Sequence, residues 1–147
     1  MLDQSKIGHK FPTFKIDVEK GRLKMFAKAI GETNPIYSDE SAAIEAGYKT
    51  IPAPPTFPFT IELDGPELLP VLRVLNMDIG KLLHGSQDFE YFDTIYAGDC
   101  IEVNCVIVNM FSKKGGALEF VELESSYSNQ NAKLVAKATC TLVYRNA

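Results

Sequence analysis

The chain has 147 residues, enough for one domain (1–147) that buries roughly 70% of the surface its unfolded form exposes. Hydrophobic residues make up 46% and charged residues 23%, the balance of a globular chain rather than of a disordered one. The net charge is −4 and Lys and Arg are scattered, so a nucleic-acid partner is not expected. Met1 to Lys6 lacks the apolar run of a signal peptide, and no apolar stretch approaches membrane-spanning length. Cys100, Cys105 and Cys140 fall inside strand patterns without metal-ligand spacing, and an odd number of such thiols fits a cytoplasmic protein.

In chain order, Phe11 to Asp17 alternates weakly and reads as a short edge strand, with Pro12 near its start. Asp17 is placed to cap a helix over 18–30. In that helix Leu23, Phe26, Ala27 and Ile30 share one face, and Gly31 closes it. A polar loop follows over 32–37, turned by Pro35. Ser38 or Asp39 then caps a second short helix over 40–46, stopped by Gly47. The proline-rich run Ile51 to Pro58 leads into a third helix near Thr56, apolar on most sides as a central buried helix would be. Gly65-Pro66 breaks it, and a further helix is expected over 67–75.

From Gly85 onward the period changes from helical to two. Strands are expected over 86–92, 100–111, 117–128 and 133–145, separated by turns at Ala97-Gly98-Asp99, Lys113 to Gly116, and Asn129 to Asn131. In the last strand Leu134, Ala136, Ala138, Cys140, Leu142 and Tyr144 share a face. These elements make an α+β domain, a curved antiparallel sheet around a central helix, with an exposed edge that a second copy or chain would cover.

Gly31 to Asp39, Ile51 to Phe59 and His84 to Tyr91, taken in that order, resemble the MaoC-like dehydratases and hydratases of the hotdog fold. The closer likeness is to the N-terminal dehydratase half of fatty acid synthases. The resemblance implies reversible hydration of acyl thioesters in fatty acid metabolism, carried on coenzyme A or acyl carrier protein as substrate, with no metal or redox cofactor. The family's active loop reads Gly-Asp-x-Asn-Pro-aliphatic-His-x-Asp. Gly31, Asn34, Pro35, Ile36 and Asp39 match it; Glu32 stands for the aspartate and Tyr37 for the histidine.

The chemistry explains what that substitution costs. Dehydration removes an α-proton and protonates hydroxide as it leaves, which calls for a base with a pKa near neutrality beside a carboxyl group. A phenol of pKa about 10 is a poor base at neutral pH, though it can donate a proton. Backbone N–H groups at the start of the central helix stabilise the thioester oxygen in the family. Ala53-Pro54-Pro55 stands here for Ala-His-Gly, and proline has no N–H, leaving Thr56 and Phe57 as donors.

The loop is therefore expected to carry Glu32, Asn34 and Tyr37 as a degenerate acid–base set. His84 is the one imidazole near a family motif, and Pro54, Pro55, Thr56, Phe57, Ser86 and Gln87 are expected to line the substrate path. Each has a plainer reading: Asn34-Pro35 as a turn, Glu32 as a solvated loop carboxylate, Tyr37 as a half-buried aromatic, His84 as a structural hydrogen-bonding group, Phe57 as core. Three functions follow. One is a non-catalytic, channel-shaping subunit paired with a second hotdog chain. Another is a stand-alone hydratase, as a homodimer, using Glu32 and Tyr37 or an imported His84. The third is an acyl-CoA thioesterase.

Overall fold

The computed structural model describes residues 1–146. Five strands form one antiparallel sheet: β1 (Phe14–Asp17), β2 (Leu82–Tyr91), β3 (Cys100–Lys113), β4 (Leu118–Ser128) and β5 (Leu134–Arg145), in the spatial order β1-β3-β4-β5-β2. Four helices precede the long strands: α1 (Lys20–Ala29), α2 (Glu40–Glu45), α3 (Phe57–Leu63) and α4 (Val71–Val74). The architecture is the expected α+β sheet with a mostly buried helix, α3, against its inner face. Among the described residues no helix is long and apolar enough to cross a membrane.

The inner face follows from the two-residue period. Along β4, Glu119, Val121, Leu123, Ser125 and Tyr127 are buried while their neighbours are not. Ala136, Ala138, Cys140 and Leu142 are buried along β5 in the same way, with Val135 buried beside Ala136. The small Ala136 and Ala138 let α3 approach, and Phe57 and Ile61 of that helix pack into a cluster with Val103, Tyr127 and both alanines. A second cluster, with Val71, Leu75, Ile107, Val121 and Leu142, fills the sheet toward its other end.

β1 begins at Phe14, three residues later than expected, and three further elements depart from the expected boundaries, each for a local reason. The first helix starts at Lys20, and Asp17 is the last residue of β1, paired with Cys100, so it caps nothing. Val18 is held extended because its N–H donates to Asp99 O at 2.8 Å and its carbonyl accepts from Gly98 N at 2.8 Å. The helix expected over 67–75 shrinks to four residues, because Leu69 sits at φ +52° and Pro70 cannot continue a helix from before it. Strand β2 begins four residues earlier than its alternation shows. A bulge between His84 and Ser86 hides the period, and Gly85 occupies it. A Cβ there would stand 2.9 Å from Thr141 O, so only glycine fits.

Candidate active site

The loop after α1 is built by the sequence almost residue by residue. Gly31 adopts φ +73° and ends α1; its N–H donates to Lys28 O at 3.2 Å and Glu32 N to Ala27 O at 2.9 Å, the paired bonds of a Schellman cap. Glu32 Oε1 then accepts from Asn34 N at 2.8 Å, and Asn34 Oδ1 accepts from Ile36 N at 3.2 Å, opening a single 3₁₀ turn over Pro35–Tyr37. Asp39 Oδ1 takes Ser41 N at 2.9 Å and starts α2. Glu32 and Asn34 are both exposed, and each spends a side-chain oxygen on holding the loop.

Tyr37 is the member of the loop that reaches a cavity. It lines a space of about 370 Å³ with Tyr48, Pro54, Pro55, Tyr91 and Ile95. Burial raises the Tyr37 phenol above its ordinary value near 10, and the charges of Tyr48 and Glu32 push the same way. The phenol therefore keeps its proton across the neutral range and can give one but not take one. The proline run is stitched to the far side of this space. Ala53 N donates to Ile95 O at 2.8 Å, and Tyr91 OH donates to Pro55 O at 2.6 Å. Phe57 N donates to Pro54 O at 2.9 Å, so one of the two backbone donors expected at the start of α3 is already engaged.

The remaining sequence-selected residues are dispersed. Thr56 is exposed, Phe57 is only 1% exposed and belongs to the core, and Ser86 is exposed on the edge strand. His84 stands apart from the loop's cavity. Its ring stacks on Phe59 with centroids 5.2 Å apart, and its Nε2 lies 3.1 Å from Gln87 Oε1. It faces a second cavity, of about 330 Å³, beside the C-terminal half of α3, where Phe14, Phe59, Leu63, Val103, Leu123 and Leu142 contribute apolar walls. This cavity lies where the two core clusters meet.

Glu62 lines the same cavity and was not among the residues the sequence singled out. It is the one charged side chain within α3, a signal that was legible against Phe57, Phe59 and Ile61. Tyr127, fully buried, donates its OH to Glu62 Oε1. Burial raises the Glu62 pKa, opposed in part by hydrogen bonds with Tyr127 and Ser125 and by the His84 charge. The neighbouring thiols are pushed up by burial too, Cys105 to about 11 and Cys140 to about 12, so neither is a nucleophile at neutral pH.

The Glu62 shift has a consequence for stability. Above pH 4.5 the folded chain retains a proton that the unfolded chain releases, so this group's contribution to stability falls as pH rises through that interval. Glu40, Glu67 and Asp93 have lowered values and act below it, in the opposite sense. Urea midpoints measured from pH 5 to 7.5 are expected to decline in the unaltered chain relative to Glu62→Gln. A pH-independent difference between the two would show that Glu62 is not held protonated.

An antiparallel sheet around α3, with an Asn-Pro loop beside that helix's first turn, is the hotdog fold that this chain shares with a MaoC-like dehydratase of known structure. Residues 5–138 match the family described as FAS1-like, dehydratase domain region, and the chain belongs to that family. A UPF0336 protein of Streptomyces avermitilis is 33% identical over 147 residues, spanning 99% of this chain and 97% of that one. Two solved structures share the fold. The HadBC (3R-hydroxyacyl-ACP dehydratase) complex of Mycobacterium tuberculosis has a TM-score of 0.75 at 24% identity, covering 94% of this chain and 96% of that one. A MaoC-like dehydratase has a TM-score of 0.83 at 19% identity, covering 98% of this chain and 43% of that longer one.

Proposed function

We propose that this chain is the non-catalytic subunit of a two-chain (3R)-hydroxyacyl-thioester dehydratase of the cytoplasm, shaping the acyl channel while a second hotdog chain supplies the acid–base pair. The reaction removes a proton from C2 and hydroxide from C3, forms the C2–C3 double bond and releases water. It needs a group that takes the C2 proton at neutral pH. The observation that carries the reading is Tyr37, which occupies the position of that group as a phenol whose pKa is raised by burial. Glu32, beside it, gives one carboxylate oxygen to the loop's own backbone.

Two further features support a partner. Strand β2 ends the sheet with one side unpaired, and Leu83, Tyr91 and Phe92 are about half exposed along or just beyond it. The HadBC relative, alike in fold, is itself a complex. No cofactor is required; coenzyme A or acyl carrier protein carries the substrate. Among the described residues no group of three or more His, Cys, Asp or Glu is arranged to hold a metal ion.

The test is reconstitution. The purified chain, given crotonyl-CoA or a longer enoyl thioester, is expected to show no hydration above background, with Glu32→Ala unchanged from it. Activity is expected on mixing with a second hotdog chain that carries an intact Asp/His loop. Hydration by the chain alone that Glu32→Ala abolishes would overturn the reading in favour of a stand-alone enzyme. Release of free thiol from a saturated acyl-CoA would make it a thioesterase.

A further inference from the structure

Glu62 is unexplained by a channel that has only to accept hydrocarbon. The cavity of about 330 Å³ has room for roughly ten groups of methylene size, and its polar side chains are Glu62, Glu67 and His84. Glu67 is held at the surface by Arg73, in a two-pronged pair at 2.8 and 2.9 Å. Glu62 is left to face the interior, while His84 lines the cavity from an exposed position on β2. A polar group that borders an apolar cavity is costly unless each of its hydrogen-bonding atoms is matched.

The match is incomplete. Tyr127 and Ser125 approach the Glu62 carboxyl from β4. The two oxygens of a carboxyl group offer about four hydrogen-bonding positions, beyond the two that these bonds fill. Gln87, which takes His84 on its oxygen, is not among the cavity's walls, and its Nε2 is buried with no partner among the described residues. One hydroxyl group in the cavity would answer the open positions on Glu62. A pure alkyl chain would answer none, and a ligand carboxylate would meet the Glu62 carboxyl head on.

We infer that this cavity takes an acyl chain bearing a hydroxyl group part-way along its length, with that hydroxyl hydrogen-bonded to Glu62. The inference rests on the acyl-thioester reading above and names the substrate class that reading leaves open. Glu62 is then a specificity-determining residue: it distinguishes hydroxylated from plain chains and takes no part in the elimination.

Binding of decanoyl-CoA and of its mid-chain monohydroxy isomers to the full chain, measured by calorimetry, tests it. At least one isomer is expected to bind about tenfold more tightly than decanoyl-CoA, the worth of one well-placed buried hydrogen bond. Glu62→Leu combined with Tyr127→Phe removes both partners together, so the preference is expected to vanish while decanoyl-CoA binds at least as well. Glu62→Gln, which still donates and accepts, is expected to keep most of the preference. In the unaltered chain the carbon-13 resonance of the Glu62 carboxyl is expected to move with the preferred isomer and not with decanoyl-CoA, a readout that needs no variant to fold. Equal binding of all probes with no movement of that resonance overturns the hydroxyl assignment and leaves the dehydratase reading standing. Failure of every probe to bind overturns the hydroxyl assignment, and the reconstitution above then decides the dehydratase reading.

Discussion

Phe57→Ala is expected to lower the unfolding free energy by about 3–5 kcal/mol, seen as a shift in urea midpoint at unchanged slope. The side chain is 1% exposed and its ring meets Phe26 edge-on at 5.4 Å, between α1 and the sheet. It sits beside Ala136 and Ala138, whose small side chains leave the space it fills. Those alanines belong to a paired strand and cannot move inward to close the gap, so the loss includes a cavity as well as the lost transfer energy. Domains of this size have only about 5–15 kcal/mol in total, so the variant would approach the limit of folding. Thr56→Ala, one residue earlier, exposed and making no side-chain cap, is expected to change stability by less than about 0.5 kcal/mol. A loss below about 1 kcal/mol for Phe57→Ala would mean that the ring is not a central strut of the core.

That contrast marks how far the sequence could be read. Phe57 was visible as part of an apolar helix, but whether such a ring faces substrate or sheet depends on how α3 rolls on β5, and that is set by Ala136 and Ala138 some eighty residues away. The long strands were legible because their alternation is a local property, and so were Gly31 as a helix terminator and Asp39 as a cap. Features fixed by distant partners were not. Val18 is kept out of α1 by Asp99 and Gly98, and the start of β2 is masked by the bulge at Gly85. His84 belongs to a different cavity from the loop with which its motif associates it, because β2 runs the length of α3. Glu62 needed no distant information, only the weight that a lone acid in an apolar helix deserves on energetic grounds.

Restoring the loop's acid–base residues alone is expected to leave this chain nearly inactive. Glu32→Asp with Tyr37→His recreates the family's loop at the two positions where it differs, and the surrounding Schellman cap and Asn34 turn are already in place to hold it. General acid–base groups contribute about 10²–10⁴ in rate. The developing charge on the thioester oxygen must still be met by backbone donors, each worth about 10²–10³ in kcat. At the start of α3 Pro55 has no N–H and Phe57 N is engaged with Pro54 O at 2.9 Å, which leaves Thr56 N as the one remaining donor of the expected pair. Adding Pro55→Gly supplies a donor at a position whose carbonyl is already anchored by Tyr91 OH at 2.6 Å. The triple variant is therefore expected to hydrate crotonyl-CoA about 10²–10³ times faster than the double variant. Equal rates for the two would mean that Pro55 costs the site nothing.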